Sequence, residues 1–365
     1  VEQSAALTLE RHRTRRLVAG VAITLAVAVF GLFIVKWSPY YAKTFVAAAR
    51  HSLGNSILTG TAEAAKAPSW STALSYAAAY FAAIWQALVL ALLLGACIQV
   101  LVPRQWIARH LTHFGARTSA AVGMMTMAGM MCTCCVAPVV AGLRKQKASP
   151  AAAMAIFIGN PTLNPAVLLF IGFVLSWPFA ALRLVVGLSV VIAAAWLAGR
   201  LTPGDVEIAD ALPPSPIEDG AATPLAVLVA WLRVVWWELY TIVPGYIAIV
   251  LALGALRAWL FHPGVVLHAG GGVIATIVAA IAGTLFVIPT AGEIPIIQTF
   301  ARFGLGSAPA AALLLTLPAI SVPSMFIVRS AFPARTLAAV AGAVAAAGIV
   351  AAIVASALGL TLAHP

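Results

Sequence analysis

The sequence predicts an all-α polytopic membrane protein: two inverted transmembrane repeats with broken or re-entrant helices, plus one extra N-terminal helix. Three observations carry that prediction. The 365 residues are 63% hydrophobic and only 8% charged, with a mean hydropathy of +1.04, whereas a soluble domain is roughly a quarter charged. Apolar runs long enough to span a hydrocarbon core of roughly 30 Å recur along the chain. Matching motifs in the two halves return at a nearly constant spacing.

The N-terminal segment, residues 1–70, holds the first apolar run, from Leu17 to Lys36, behind Arg11, Arg13, Arg15 and Arg16. The run exceeds the roughly 7 to 15 apolar residues of a signal-peptide core, so it reads as a retained helix. The net charge of +11 does not imply a nucleic-acid partner. The basic residues sit at the ends of apolar segments, where they set orientation in the bilayer and meet lipid.

Repeat 1 spans 71–201 and repeat 2 spans 225–365, with a linker over 202–224. Gly95 maps onto Gly254, Pro138 onto Pro295, Ser149-Pro150 onto Ala308-Pro309 and Pro165 onto Pro323. Any one pair in an Ala-rich helix is weak, but four in order at one spacing indicate duplication. The linker holds five of the ten acidic residues, Asp205, Glu207, Asp210, Glu218 and Asp219, together with five prolines, and reads as an exposed connection.

Each repeat offers a long helix (72–102 or 225–261), an interrupted apolar segment (116–147 or 270–304) and two further helices. The interrupted segments are long for one crossing, and either a re-entrant hairpin or a broken crossing fits them. With the N-terminus cytoplasmic, Arg104, Arg109, Arg117, Arg144, Lys145 and Lys147 lie inside only if the first segment turns back. That choice inverts the second repeat, a recurrent transporter plan in which the substrate meets the breaks near the midplane.

The candidate site residues lie at these interruptions. Pro138 and Pro295 are expected to open second half-helices, which places Cys134, Cys135 and Glu293 at positive helix ends. Cys132, Cys134 and Cys135 stand within twelve residues of Met124, Met125, Met127, Met130 and Met131, and soft ligands suit soft metals and metalloids. The methionines are also explained as adaptable apolar packing. Glu293 is expected to contact substrate or exchange a proton, because an intramembrane carboxylate is costly and usually functional. Glu238 reads instead as interfacial, amid Trp236, Trp237 and Tyr240.

Asn160-Pro161 through Asn164-Pro165 interrupts the next helix, and Pro318 through Ser321 and Pro323 interrupts its counterpart. Asn160, Asn164 and Ser321 are therefore candidate lining residues, or plain partners of the opened backbone. Arg183 and Arg233 read as snorkelling side chains without a role. His110 and His113 have a weak metal-like spacing. No phosphate-binding loop, zinc-protease helix or serine nucleophile elbow is present, so no cofactor and no enzymatic activity are expected.

The run MMCTCCVAPVVAGLRKQKASPAAAMAIFIGNPTLNPAVLLF, with IPTAGEIPIIQ later, resembles the bacterial predicted-permease family whose characterised members export trivalent organoarsenicals. The resemblance covers roughly residues 75 to 330. It implies a multi-pass permease of the bacterial inner membrane, with Cys134 and Cys135 at its cysteine-containing break and Gly292 through Pro295 as its second signature. Family members often carry glycine after the cysteine pair, where this chain has Cys135 and Val136. Efflux of soft Cu or Zn ions stays open as an alternative, as does a membrane thiol oxidoreductase built on Cys132, Cys134 and Cys135. The oligomeric state is not fixed by the sequence.

Overall fold

A computed structural model describes residues 18–58, 69–111, 116–202, 223–260 and 272–362. Every described regular element is helical, and seven helical spans are long and apolar enough to cross a membrane. The linker at 203–222 and His113 lie outside the described residues, as does the side chain of His110.

The first span, α1, runs Val18–Arg50. It does not end at Lys36 as the apolar run suggested. A π-helical turn over Phe33–Trp37 absorbs Lys36, and the helix continues through Ser38–Arg50 with Pro39 in its first turn. Such turns interrupt regular helices mostly at functional positions.

The first unit begins with α2 (Trp70–Leu101), opened by a capping box in which Ser69 and Thr72 satisfy each other's backbone N–H. A short α3 (Arg104–Leu111) leads to α4 (Ala116–Met125), a 3₁₀ turn and then α5 (Thr133–Lys145). The Ser149 N–H donates to the Leu111 carbonyl at 3.0 Å. The chain therefore leaves α5 where it entered α4, and the interrupted segment is a hairpin rather than a crossing. The next span is broken into α6 (Pro150–Thr162) and α7 (Pro165–Val174), and α8 (Trp177–Leu201) completes the unit.

The second unit repeats the series. Its long helix α9 (Pro224–Leu260) is followed by α10 (Val273–Leu285), α11 (Glu293–Arg302), α12 (Ser307–Ala319), α13 (Val322–Val328) and α14 (Ala334–Ala357). Pro150 and Ser307, Pro165 and Val322, and Trp177 and Ala334 open corresponding helices, each pair 157 positions apart.

Corresponding helices meet antiparallel. The start of α2 touches the end of α9, with Arg257 over the Tyr76 ring, and the end of α2 at Val100 and Leu101 clusters with Val227 and Ala230 near the start of α9. Thr202, after α8, bonds Thr336 at the start of α14 at 3.1 Å. Helix α5 packs on α13 of the other unit, and α11 packs on α7. Two glycines permit the close approach of α2 to its neighbours: a Cβ on Gly95 would stand 3.1 Å from the Pro138 carbonyl, and one on Gly254 3.0 Å from that of Ala73.

The hairpins open at opposite ends of the bundle. Arg144, near the mouth of the first, donates to the Ala331 carbonyl ahead of α14. Gln298, in α11 of the second, donates to the His51 carbonyl, and the His51 ring meets the Phe173 carbonyl at the far end of α7. The two breaks are thereby brought together inside the bundle.

Candidate functional site

Helix α5 starts at Thr133, with Cys132 as its N-cap, so Pro138 lies inside the helix and does not open it. The expectation for Pro138 fails because Thr133, Cys134 and Cys135 already form the first turn, where missing intrahelical partners cost nothing extra. Pro295 is the third residue of α11, in its first turn, as anticipated. Both breaks hold a non-glycine residue in the left-handed region, Met130 at φ 48° and Ala291 at φ 67°. Backbone strain of that kind concentrates at functional positions.

The N-cap and the third helical residue lie on one face, while the two residues between them do not. Accordingly Cys132 Sγ and Cys135 Sγ lie 2.8 Å apart, both buried and free. Cys134 points elsewhere, with its sulfur 3.8 Å from Ser321 Oγ and against the hydroxyls of Tyr80 and Tyr246, which bond each other at 2.7 Å. The expected three-thiol cluster is thus a pair plus one. Among the described residues no group of three His, Cys, Asp or Glu side chains converges as a metal site. Met124 and Met125 are exposed on the bundle's outer surface, away from the thiols, and only Met131 of the five is buried.

A void of about 10 Å³ separates the two breaks, lined by Cys132, Thr133, Pro161, Thr290 and Glu293 among others. It has room for about one water. On the other side of Thr290 and Gly292 lies a cavity of about 550 Å³ that reaches Lys36, Lys43, Ser56 and Ala83. The second break therefore forms the wall between an open vestibule and the thiols.

Glu293 is the first residue of α11 and is 1% exposed. It is not a free carboxylate: Arg183 Nη1 stands 2.5 Å from its Oε1. Arg183 is itself buried in the second turn of α8 and does not snorkel. Its guanidinium also donates to the carbonyls of Thr162 (3.1 Å), Pro161 (2.9 Å) and Leu314 (3.4 Å). The reason is local. The carbonyls of Pro161 and Leu314 would bond the residues four positions on, which are Pro165 and Pro318 and have no N–H. Arg183 supplies the donors that the proline breaks remove.

The remaining predicted lining residues are mostly occupied by the backbone. Asn160 Oδ1 accepts from the Met131 N–H at 2.7 Å, which ties α6 to the hairpin tip. Asn164 caps α7 through the N–H groups of Ala166 and Val167, leaving its buried Nδ2 unpartnered. Ser321 and Ser324 form a capping box at α13. Glu238 is 2% exposed in the α2–α9 seam and accepts from Gln99 Nε2 at 2.6 Å, so it is not interfacial. Arg233 is exposed, as expected.

Against known proteins, the family described as a predicted permease (ArsP_1) matches residues 69–357, from the N-cap of α2 to the end of α14. The chain belongs to this predicted-permease family. It is 45% identical over 341 residues to UPF0718 protein YraQ of Escherichia coli, covering 90% of this chain and 92% of that protein. It is also 34% identical over 96 residues to UPF0718 protein MJ0584 of Methanocaldococcus jannaschii, about a quarter of each. No solved structure matches it significantly. The chain is a multi-pass membrane permease.

Sequence reasoning missed two side chains of this permease's central site. Lys36 is 6% exposed and donates to Thr290 Oγ1 at 3.1 Å, reaching the second break from α1, outside the matched family region. Arg183 is the other. A signal for both was present, since each is a cation inside an apolar run and such residues rarely lack a partner.

Proposed function

We propose that this permease exports a small thiophilic solute, a trivalent organoarsenical, by alternating access between two inverted repeats. The observation that carries the reading is the pair of free, buried thiols, Cys132 and Cys135, beside the void where the breaks of the two units meet. A methylarsenic(III) diol exchanges each As–OH for an As–S bond. The two thiol protons leave with the hydroxyls as two waters, and reversal on the other side releases the solute. Two thiols hold such a solute reversibly, and Cys134 is left to Ser321, Tyr80 and Tyr246 on the opposite side of α5.

The units take the boundaries 71–201 and 225–365, joined by the 202–224 linker and preceded by the 1–70 segment. Basic residues concentrate at the end of the bundle that bears Arg104, Arg144, Lys145, Arg200 and Arg335, which supports a cytoplasmic placement of that end and of the N-terminus in the bacterial inner membrane. Glu293 couples a proton by competition: protonation removes the charge that Arg183 holds, freeing the second break to move. Asn160, Asn164 and Ser321 shape the breaks that line the path.

The test is uptake of methylarsenite by everted vesicles. Accumulation is expected from the intact chain and from Cys134→Ala, and not from Cys132→Ala or Cys135→Ala at equal expression. Equal transport by all four would refute the thiol site. A two-thiolate set without a third ligand equally suits Cu(I), so copper-dependent uptake without arsenical uptake would move the substrate to that ion. A thiol oxidoreductase predicts reductant consumption without flux of either.

A further inference from the structure

We propose that the vestibule on the far side of the second break is a binding site for a small anion, separate from the thiols that hold the transported solute. The proposal deepens the permease reading and rests on it, but is independent of whether arsenic is the thiophilic atom.

The vestibule has about 550 Å³ of space, within the range of small-molecule sites. Two lysines, Lys36 and Lys43, line it, and among the described residues lining it there is no Asp or Glu. Its other polar groups are the neutral side chains of Tyr40, Asn55, Ser56 and Thr290. Lys43 is exposed at the mouth, while Lys36 is at the base.

Lys36 is the decisive residue. Its ammonium is buried in the middle of an apolar helix, and the hydrogen bond it makes is to a neutral hydroxyl, Thr290 Oγ1. Tyr40 lies beside it, its ring centre 5.3 Å from the nitrogen, and the Cys132 and Cys135 thiols are its other ionisable neighbours behind Thr290. The buried salt bridge of the site, Arg183–Glu293, does not involve Lys36. A buried cation needs a counter-charge, and no carboxylate here provides one. The π-helical turn that carries Lys36 puts it against the second break, on the path between vestibule and thiols. A single-sign cleft with low-dielectric walls concentrates ions of the opposite sign. The ligand class of the vestibule is therefore a small anion such as an inorganic oxyanion.

The reporter is Ala83→Cys, an exposed position on the vestibule wall, in the otherwise native purified protein. The four native thiols are buried, and mass spectrometry resolves labelling at position 83 from theirs. Labelling rates with sulfonatoethyl methanethiosulfonate and trimethylammonioethyl methanethiosulfonate are normalised to each reagent's rate with a free thiol. The anionic reagent is expected to react faster by at least about tenfold, as for a cleft of one charge sign. Lys36→Met should remove most of that preference and Lys36→Arg should keep it. Inorganic sulfate should slow labelling when Lys36 is present and not in Lys36→Met.

A normalised ratio near one, a cationic preference, or a preference that survives Lys36→Met with Lys43→Met would overturn the proposal. So would sulfate that protects nowhere. Labelling requires neither transport nor arsenic nor Cys132 and Cys135, so failure of the arsenical reading leaves this result standing, and the reverse holds too.

Discussion

Replacing Arg183 by Met should cost this protein more stability than any comparable truncation on the bundle surface. The guanidinium is buried and holds four groups at once: the Glu293 carboxylate at 2.5 Å and three backbone carbonyls. Removing one partner of a buried ion pair typically costs about 3–5 kcal/mol, because the other charge stays buried without compensation. Two of the carbonyls cannot be rescued by their own helices, since Pro165 and Pro318 offer no N–H, and each orphaned buried acceptor adds about 1–3 kcal/mol. Native proteins have only about 5–15 kcal/mol in total. The assay is unfolding in mixed micelles followed by tryptophan fluorescence, with Arg183→Met/Glu293→Gln as a second variant. The double variant should recover part of the loss, because the uncompensated charge is gone while the carbonyls remain unpaired. A loss under about 1 kcal/mol for Arg183→Met, or a double variant no more stable than the single, would refute the reasoning.

Further consequences can be measured separately. Asn160→Ala leaves the Met131 N–H at the first hairpin tip without its acceptor and should cost about 1–3 kcal/mol in the same assay; an unchanged midpoint would mean that water replaces the side chain. Mild oxidation should join Cys132 to Cys135, seen as the loss of two hydrogens in the peptide carrying both, and should abolish binding of an arsenical; a Cys134 crosslink instead would contradict the described pairing. Reporters at residue 210 and after residue 362 should face opposite sides of the membrane, the former cytoplasmic; the same side for both would exclude inverted repeats.

Much of the scaffold is legible in the sequence because prolines, glycines and apolar length act locally. Pro150, Pro161, Pro165, Pro318 and Pro323 mark the broken spans, and the equal spacing of their counterparts exposes the second unit. The first hairpin follows from the basic residues on both of its flanks. The position of Pro138 within α5 is not legible, since proline is also tolerated inside a helix whose neighbours satisfy the opened backbone. What pairs with Arg183 and Lys36 is illegible for a different reason. Their partners, Glu293 and Thr290, lie 110 and 254 residues away, so only tertiary packing distinguishes a buried cation from a snorkelling one. Accounting for the carbonyls freed by Pro165 and Pro318 would have pointed to a missing donor inside the bundle.

That same accounting predicts an asymmetry within the ion pair. Glu293 holds Arg183 through one oxygen while its Oε2 has no partner, whereas Arg183 is also anchored on α6 and α12. Arg183 is therefore the fixed member and Glu293, on the hairpin, the movable one. In Glu293→Gln the guanidinium keeps its three carbonyl acceptors, so the fold should survive with a loss well below that of Arg183→Met. What changes is the restraint on the second break. A cysteine at Thr290, on the wall between the vestibule and the thiols, should be labelled faster from the vestibule side in Glu293→Gln than with native Glu293. If both substitutions destabilise the fold equally, or if the labelling rate at position 290 is the same in Glu293→Gln as with native Glu293, the Arg183–Glu293 pair is a static clamp and does not restrain the second break.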